Sequence, residues 1–228
     1  MEPEKTMLFG NIRADIEHKR SWFYQEAGWW KKLLVLVQPG TLVVIVYRFG
    51  HWAYKLKNPI LRNLLMLIYW ATNLFVVICT QSYIRHETEI GQGLVIHNWS
   101  GVFIANATMG ENCIVYQGVA VGHLRHFRGP GRSKGRAAPR IGNNVYIASG
   151  AKVLGDVVIG DNVVVGANSL VITSVPDNCT VLGVPARIIA RNNRWIAEKR
   201  HLAQADKLGQ DRVETVGERS VSEPKEIA

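Results

Sequence analysis

The amino-acid sequence predicts a mainly β fold, a parallel β-helix of six-residue repeats preceded by an α-helical N-terminal region. The first observation is an aliphatic residue at every sixth position from Ile141 to Val171. The second is a change of composition near residue 80, where Leu, Trp and Tyr at three- and four-residue spacing give way to Gly, Val, Ile, Asn and Asp. Residues 1–80 therefore follow the period of a helix, and residues 81–190 follow the period of a stacked coil.

The six-residue period runs through most of residues 81–190. In such repeats the aliphatic residue points inward and stacks on its copy one coil away, so that three units close a triangular coil of about eighteen residues. Neighbouring Gly, Asn and Asp tolerate the positive φ of tight corners. A register shift is predicted between Val102 and Met109, which are seven residues apart. The inward positions are Ile84, Ile90, Ile96, Val102, Met109, Val115, Val121, Ile141, Ile147, Val153, Ile159, Val165 and Val171.

Two segments fall outside the repeat. Residues 122–140 interrupt it with six bases, two histidines, four glycines and no acid, which predicts an extruded loop. Long loops in compact repeats commonly bind ligands, and the alternative is a solvated tether. Residues 191–228 are predicted to begin as a short amphipathic helix, Asn192–Ala203, and to end in a disordered tail.

Composition narrows the possible classes of protein. Of 228 residues, 47% are hydrophobic and 20% are charged, which suffices for a large core and excludes wholesale disorder. Cys79, Cys113 and Cys179 lie far apart without a CxxC pair, so neither a disulfide framework nor a zinc finger is predicted. The first twenty residues carry no apolar leader. We therefore expect a cytoplasmic protein, with a peripheral position at the inner face of the plasma membrane as the further expectation.

The positive charge is concentrated beside the apolar helices. The net charge is +9, and residues 27–86 contain seven bases and no acid. Residues 64–80 form an apolar run of seventeen residues, short of the roughly twenty that usually span a bilayer. The preferred interpretation is a helix lying on an anionic membrane surface, and a helix buried between subunits remains open. No nucleic-acid-binding motif accompanies the bases.

Several segments resemble the hexapeptide-repeat acyltransferases, specifically their serine acetyltransferase-like branch. The resemblance covers roughly residues 84–190, and YRFGHWAY resembles the helical region that precedes the repeats in that branch. It implies a left-handed β-helix, a homotrimer, acetyl-CoA bound between neighbouring prisms, and O-acetylation of a hydroxyl without a metal. The matching segments are GQGLVIHNWSGVFIAN, IVYQGVAVG, IGNNVYIASGAKVLGDVVIGDNVVVGANSLV and VPDNCTVLGVPARII.

The resemblance also assigns residues to the acetyl-CoA side of the site. Small residues suit this role because the pantetheine arm approaches the backbone closely. An arginine near the last coil and a lysine of the loop suit the phosphate charge of CoA. The residues so assigned are Ala148, Ser149, Gly150, Ala167, Pro185, Ala186, Arg187 and Lys134.

The sequence departs from the true serine enzymes at their acceptor side. Where that family has an Asp-His pair, this chain has His97-Asn98, so Asn98 stands at the position of the family's catalytic histidine. Tyr83 stands near the position of the acid that orients that histidine, and Ala138 replaces the loop histidine. An asparagine cannot accept a proton at neutral pH.

Acyl transfer to an alcohol needs a general base and a donor for the oxyanion. His97 is predicted as the base, with Asn98 orienting it or serving as the oxyanion donor. His123 follows Val121-Gly122 and is predicted as a second base or an acceptor ligand. His126 and Trp99 are predicted to contact the acceptor, with the Trp99 ring suited to stack on a sugar face. A zinc site from residues 97, 123 and 126 is disfavoured by their spacing, so no metal is predicted.

These observations together favour an acetyl-CoA-dependent O-acetyltransferase with a saccharide or lipid-linked saccharide acceptor, in exopolysaccharide or glycoconjugate biosynthesis. Two alternatives remain open at this point. One is a serine O-acetyltransferase of cysteine biosynthesis. The other is a β-helix scaffold that has lost catalysis, although the segments SGAKVLG and GVPAR argue against it.

Overall fold

Three helices precede the prism in the residues that the structure describes. The structure is a computed structural model, and it describes residues 2–24, 34–123 and 138–191. The helices are α1 (Glu2–Phe23), α2 (Pro39–Tyr54) and α3 (Pro59–Thr80), with a 3-10 turn at Val35–Val37 before α2.

The bounds of α3 follow from local chemistry. The Asn58 side chain accepts hydrogen bonds from the backbone N–H groups of Ile60 and Leu61, at 3.0 and 3.2 Å, and Pro59 occupies the first turn. The helix ends where Gln81 adopts the left-handed conformation, with φ of 53°.

The strands are short and lie on three faces of a parallel prism. Their order is β1-β4-β7-β10-β13 on the first face, β2-β5-β8-β11 on the second and β3-β6-β9-β12-β14-β15 on the third. Among the described strands, β14 and β15 form the one antiparallel pair. The strands are β1 (Tyr83–Ile84), β2 (Glu89–Ile90), β3 (Val95–Ile96), β4 (Phe103–Ile104), β5 (Thr108–Met109), β6 (Ile114–Val115), β7 (Ala120–Gly122), β8 (Arg140–Ile141), β9 (Tyr146–Ile147), β10 (Lys152–Leu154), β11 (Val158–Ile159), β12 (Val164–Val165), β13 (Leu170–Val171), β14 (Cys179–Gly183) and β15 (Ala186–Arg191).

The predicted fold class, a left-handed parallel β-helix preceded by helices, is confirmed. All thirteen predicted inward positions are buried, with exposed fractions of 7% or less. Because all of them except Val102 lie in strands that pair with a neighbouring coil, the core is a continuous column along the prism. β15 extends to Arg191, one residue beyond the predicted end of the β-helix at residue 190.

The position of the register shift was predicted incorrectly. Ile104, not Val102, pairs with Ile84 and Val121 on the first face of the prism. Val102 is buried at the preceding corner, because the chain uses two more residues to turn after Ile96 than after Val115. The extra length lies in residues 97–101, which are the residues of the candidate site.

Buried polar contacts attach α1 and α2 to the first coil of the prism. The carboxylate of Asp15 accepts from the Arg48 guanidinium at 2.8 and 3.0 Å and from the Leu94 N–H at 2.8 Å. Arg48 also donates to the carbonyls of Ile90 and Gly91 at 2.7 and 2.6 Å. Since both side chains are almost fully buried, the pair fixes the two helices against the coil.

Candidate functional site

The candidate site lies along one corner of the prism, where the chain passes from the third face to the first. In each coil, the residue that follows the inward position at this corner is hydrogen-bonded to the next coil. The backbone N–H groups of His97, Tyr116 and Ala148 donate to the carbonyl oxygens of Val115, Ile147 and Val165, at 2.9 to 3.0 Å. His97, Tyr116 and Ala148 are therefore aligned along the corner. Successive coils are about 4.8 Å apart, so Ala148 lies about 10 Å from His97 along this corner. The corner therefore joins the predicted base to the predicted CoA-binding residues.

The imidazole of His97 contacts two aromatic rings, which lie about at right angles to each other as seen from His97. It stacks on Phe23 of α1, with centroids 3.8 Å apart and planes inclined by 12°, and Tyr116 of the next coil lies at 4.9 Å. Its Nδ1 atom is buried and has no hydrogen-bond partner among the described residues. Nε2 is therefore the nitrogen left to receive a proton from an acceptor hydroxyl.

The surroundings of His97 keep its imidazole neutral. Burial lowers the pKa of His97 from the ordinary value of 6.5, and the positive charge of Lys19 lowers this pKa further. Lys19 is itself buried beside the same coil, donating to the carbonyl of Ile96 and the hydroxyl of Thr41 at 3.1 Å each. Burial lowers the pKa of Lys19 to about 8, so it still carries its charge at neutral pH.

Asn98 and Trp99 lie on the longer turn that follows His97, and both are exposed. No hydrogen bond among the described residues joins the Asn98 amide to His97. The carbonyl of Trp99 accepts a hydrogen bond from the Ser82 hydroxyl, and the Gly101 N–H donates to the Thr80 carbonyl at 3.4 Å. The turn is thus tied to the end of α3, while its side chains point to solvent. The proposed roles of Asn98 and Trp99 stay predictions.

The predicted CoA-binding residues of the later coils line the same corner. Ala148, Ser149 and Gly150 form the turn after β9, and Ala167 stands at the equivalent turn after β12. Gly150 has φ of 73°. A Cβ atom at this position would clash with the side-chain oxygen of Asn168, so only glycine fits. The glycine is therefore required by the packing of Asn168 against it, and the CoA-binding role of Ala148, Ser149, Gly150 and Ala167 stays a prediction.

The β14–β15 hairpin carries the remaining described CoA candidates. Pro185 is exposed, Ala186 is buried opposite Gly183, and Arg187 is exposed. Arg187 donates to the carbonyl of its neighbour Ala186 at 3.1 Å, which leaves most of the guanidinium free to meet phosphate. Lys134 and His126 lie outside the described residues.

His123 lies at a different corner of the prism from His97. It follows β7, where the chain leaves the first face, and its Nδ1 atom is 3.1 Å from the Asn106 amide nitrogen. With the amide in this orientation, Asn106 donates to Nδ1 and Nε2 of His123 carries the proton. His123 is then a hydrogen-bond donor rather than a base. Within one chain the structure does not bring His97 and His123 together.

Sequence reasoning missed the residues that surround His97. Tyr116 was available from the repeat, because it occupies the position of His97 one coil later. Asp15, Lys19 and Phe23 are spaced at i, i+4 and i+8 on α1, which marks one helix face, but the sequence does not show which surface that face meets. Among the described residues, no cluster of His, Cys, Asp or Glu is arranged to hold a metal.

Comparison with known proteins agrees with this architecture. Residues 138–173 match the family model "Bacterial transferase hexapeptide (six repeats)". A serine acetyltransferase of Staphylococcus xylosus is 38% identical over 160 residues, covering 70% of this chain and 68% of that protein. This chain belongs to the serine acetyltransferase family. The predicted resemblance to that branch is confirmed.

Two further relatives extend the comparison. A serine acetyltransferase of Synechococcus elongatus is 36% identical over 160 residues, covering 70% of this chain, and the match spans only 60% of that relative's length. The crystal structure of a Brucella abortus serine acetyltransferase in complex with coenzyme A has a TM-score of 0.68 and 27% identity, covering 84% of this chain and 70% of that one.

The comparisons overturn the predicted saccharide acceptor. The relatives at 36 to 38% identity and the structural neighbour are all serine acetyltransferases, which favours serine over a sugar. The prediction was wrong because it treated the loss of the Asp-His pair as a loss of serine chemistry. In the structure, His97, the residue before Asn98, is in contact with the rings of Phe23 and Tyr116 at this corner.

Proposed function

We propose that this protein is an acetyl-CoA-dependent O-acetyltransferase that acts on the hydroxyl of serine. The observation that carries the proposal is the single corner on which His97, Ala148, Ser149 and Ala167 are aligned, in a chain of the serine acetyltransferase family. A neutral imidazole at one end of this corner and small residues farther along it suit a thioester and an alcohol that meet beside His97.

The reaction follows from the state of His97. Its neutral imidazole takes the proton from the serine hydroxyl as the oxygen attacks the thioester carbonyl of acetyl-CoA. The carbonyl oxygen becomes an oxyanion, for which the Asn98 amide or the Nε2–H of His123 is a suitable donor. When the carbon–sulfur bond breaks, His97 returns the proton to the CoA thiolate. The products are O-acetylserine and CoA.

The site becomes complete when two copies of the chain meet. His97 and His123 lie at different corners of one prism, so they face one substrate only if the second comes from a neighbouring copy. The homotrimer implied by the family resemblance supplies such neighbours. We include this trimer, with the site between adjacent prisms, in the proposed function.

Turnover with purified full-length protein tests the proposal. With serine present, acetyl-CoA should release free CoA thiol and form O-acetylserine, and omission of serine should abolish both. Glucose and glucosamine serve as control acceptors and should give no product. Release with a sugar alone would contradict the serine assignment. Absence of turnover together with absence of CoA binding would instead support a scaffold.

The pH dependence of the reaction should report on His97. We expect kcat/KM to rise with pH through an apparent pKa below 6.5, because burial and Lys19 disfavour the imidazolium form. In Lys19→Met the opposing charge is gone, so this rise should move to higher pH. Lys57→Met, an exchange of an exposed lysine, is the control and should leave the profile in place. An unchanged profile in Lys19→Met would show that another group is the base.

A further inference from the structure

The outer half of α3 is a broad apolar surface. Six of its aliphatic and aromatic side chains have exposed fractions between 57% and 81%: Ile60, Leu64, Leu67, Leu74, Phe75 and Ile78. At 100° per residue these positions centre on one side of the helix, and Leu61, Ile68 and Trp70 widen the same side. A surface helix of a soluble protein normally presents its polar side to water, so this face requires a partner.

The breadth of this surface distinguishes between two partners. Pairing with a second helix uses a narrow apolar seam, and the positions beside the seam are usually charged. On α3 most flanking positions are also apolar, with Leu61 and Ile68 on one side and Trp70 on the other, and the exposed Asn63 beside Trp70 is the polar exception. A face about half the circumference of the helix is typical of helices that lie in a membrane interface, where Trp is favoured.

The charge of the surrounding chain favours an anionic surface. Residues 27–86 contain seven bases and no acid, although Arg48, Lys55 and Arg85 are paired with Asp15, Glu89 and Glu87. The exposed Lys57 lies two residues before α3. Headgroups with negative charge attract such a segment. Acidic lipids therefore complement the helical region in both charge and hydrophobicity.

The packing of α3 argues for a position on the membrane rather than across it. This helix is long and apolar enough to span a bilayer by length and composition. Its inner side, however, packs on α2 and the prism: Tyr69 is fully buried, and its ring lies 5.3 Å from that of His86 in the first coil. α2 is held in turn by the buried Arg48–Asp15 pair. Since one side of α3 is committed to protein, only the other side is available to lipid.

We propose that the outer face of α3 binds the surface of an anionic lipid bilayer, with the helix axis in the membrane plane. The C-terminal end of α3 is hydrogen-bonded to the turn that carries Asn98 and Trp99, through Thr80 and Ser82. Membrane binding therefore places this end of the candidate site beside the lipid. The proposal does not depend on the reaction, because its test measures binding alone.

The experiment is flotation of the full-length protein with vesicles made from equal parts of phosphatidylglycerol and phosphatidylcholine. The wild type should float with these vesicles, and less with pure phosphatidylcholine or at high salt. Leu67→Glu should weaken binding by roughly tenfold or more, because it removes an exposed leucine from the proposed lipid contact and adds a charge that anionic headgroups repel. Circular dichroism of the variant should match the wild type, since Leu67 contacts no core.

Phe9→Glu is the matched control, because Phe9 on α1 and Leu67 on α3 have the same exposed fraction of 69%. This control should bind vesicles as the wild type does. Equal loss in both variants would overturn the assignment to α3. A wild type that does not float would overturn the proposal, and if Leu67→Glu also lowered the oligomer mass by sedimentation, the face would be a contact between copies of this chain.

Discussion

Replacing His97 with alanine should lower kcat for acetyl transfer to serine by about a hundred- to ten-thousand-fold. His97 is the neutral imidazole at the candidate corner, stacked on Phe23 and in contact with Tyr116, and its pKa is lowered. Removing it leaves the serine hydroxyl without a base, while the CoA-binding residues lie on later coils and stay in place. Affinity for CoA, measured by calorimetry, should therefore change little.

Two other histidines make this result specific. His51→Ala removes a half-buried histidine that contacts the His86 carbonyl at 2.7 Å in the helical region, and turnover per folded protein should be retained. His123→Ala should reduce kcat less than His97→Ala, because its hydrogen bond with Asn106 makes it a donor. If His97→Ala kept most of the wild-type turnover, the assignment of the base would be wrong.

Val153→Asp should prevent stable folding of the prism. Val153 is fully buried between Val121 and Val171 in the stacked core, where a carboxylate has no partner and no water. Leaving a charge buried and unpaired costs on the order of 3–5 kcal/mol, comparable to the stability of many whole domains. Urea unfolding followed by circular dichroism should show a much lower midpoint, or no folded baseline at all.

Val158→Asp is the matched control for this core substitution. Val158 also lies in a strand of the prism, but its side chain has an exposed fraction of 43%, so the new carboxylate stays hydrated and should lower the midpoint only slightly. Burial raises the pKa of a carboxyl group, so the defect of Val153→Asp should shrink as the pH falls and the group becomes neutral. A folded Val153→Asp protein with an unchanged midpoint would refute the inward position of Val153.

The candidate site was only partly accessible from the sequence. The period predicted the inward residues, and the family resemblance assigned small residues such as Ala148 and Ala167 to the CoA side. The period misplaced the register shift, because Val102 is as buried as Ile104 and sequence spacing does not show which of them pairs with Ile84. The turn that carries Asn98 and Trp99 owes its length to that shift.

The environment of His97 could not be predicted for a different reason. Phe23 and Lys19 lie on α1, more than seventy residues away along the chain, and no local pattern connects a helix face to a particular coil. The face itself was visible in the spacing of Asp15, Lys19 and Phe23. Its partner became known only from the contacts with Leu94, Ile96 and His97. The saccharide acceptor was a separate error, which was inferred from the departure at Asn98 and is corrected by the relatives rather than by these contacts.

The sequence by itself determined the β-helix and its inward residues, because a repeat encodes packing between a residue and its own copies one coil away. Only the tertiary structure decided the surroundings of His97, the separation of His97 from His123 and the single exposed side of α3. Those features depend on how a helical segment without a repeat packs against the prism, and such long-range packing is decided by the whole folded chain rather than by any local pattern.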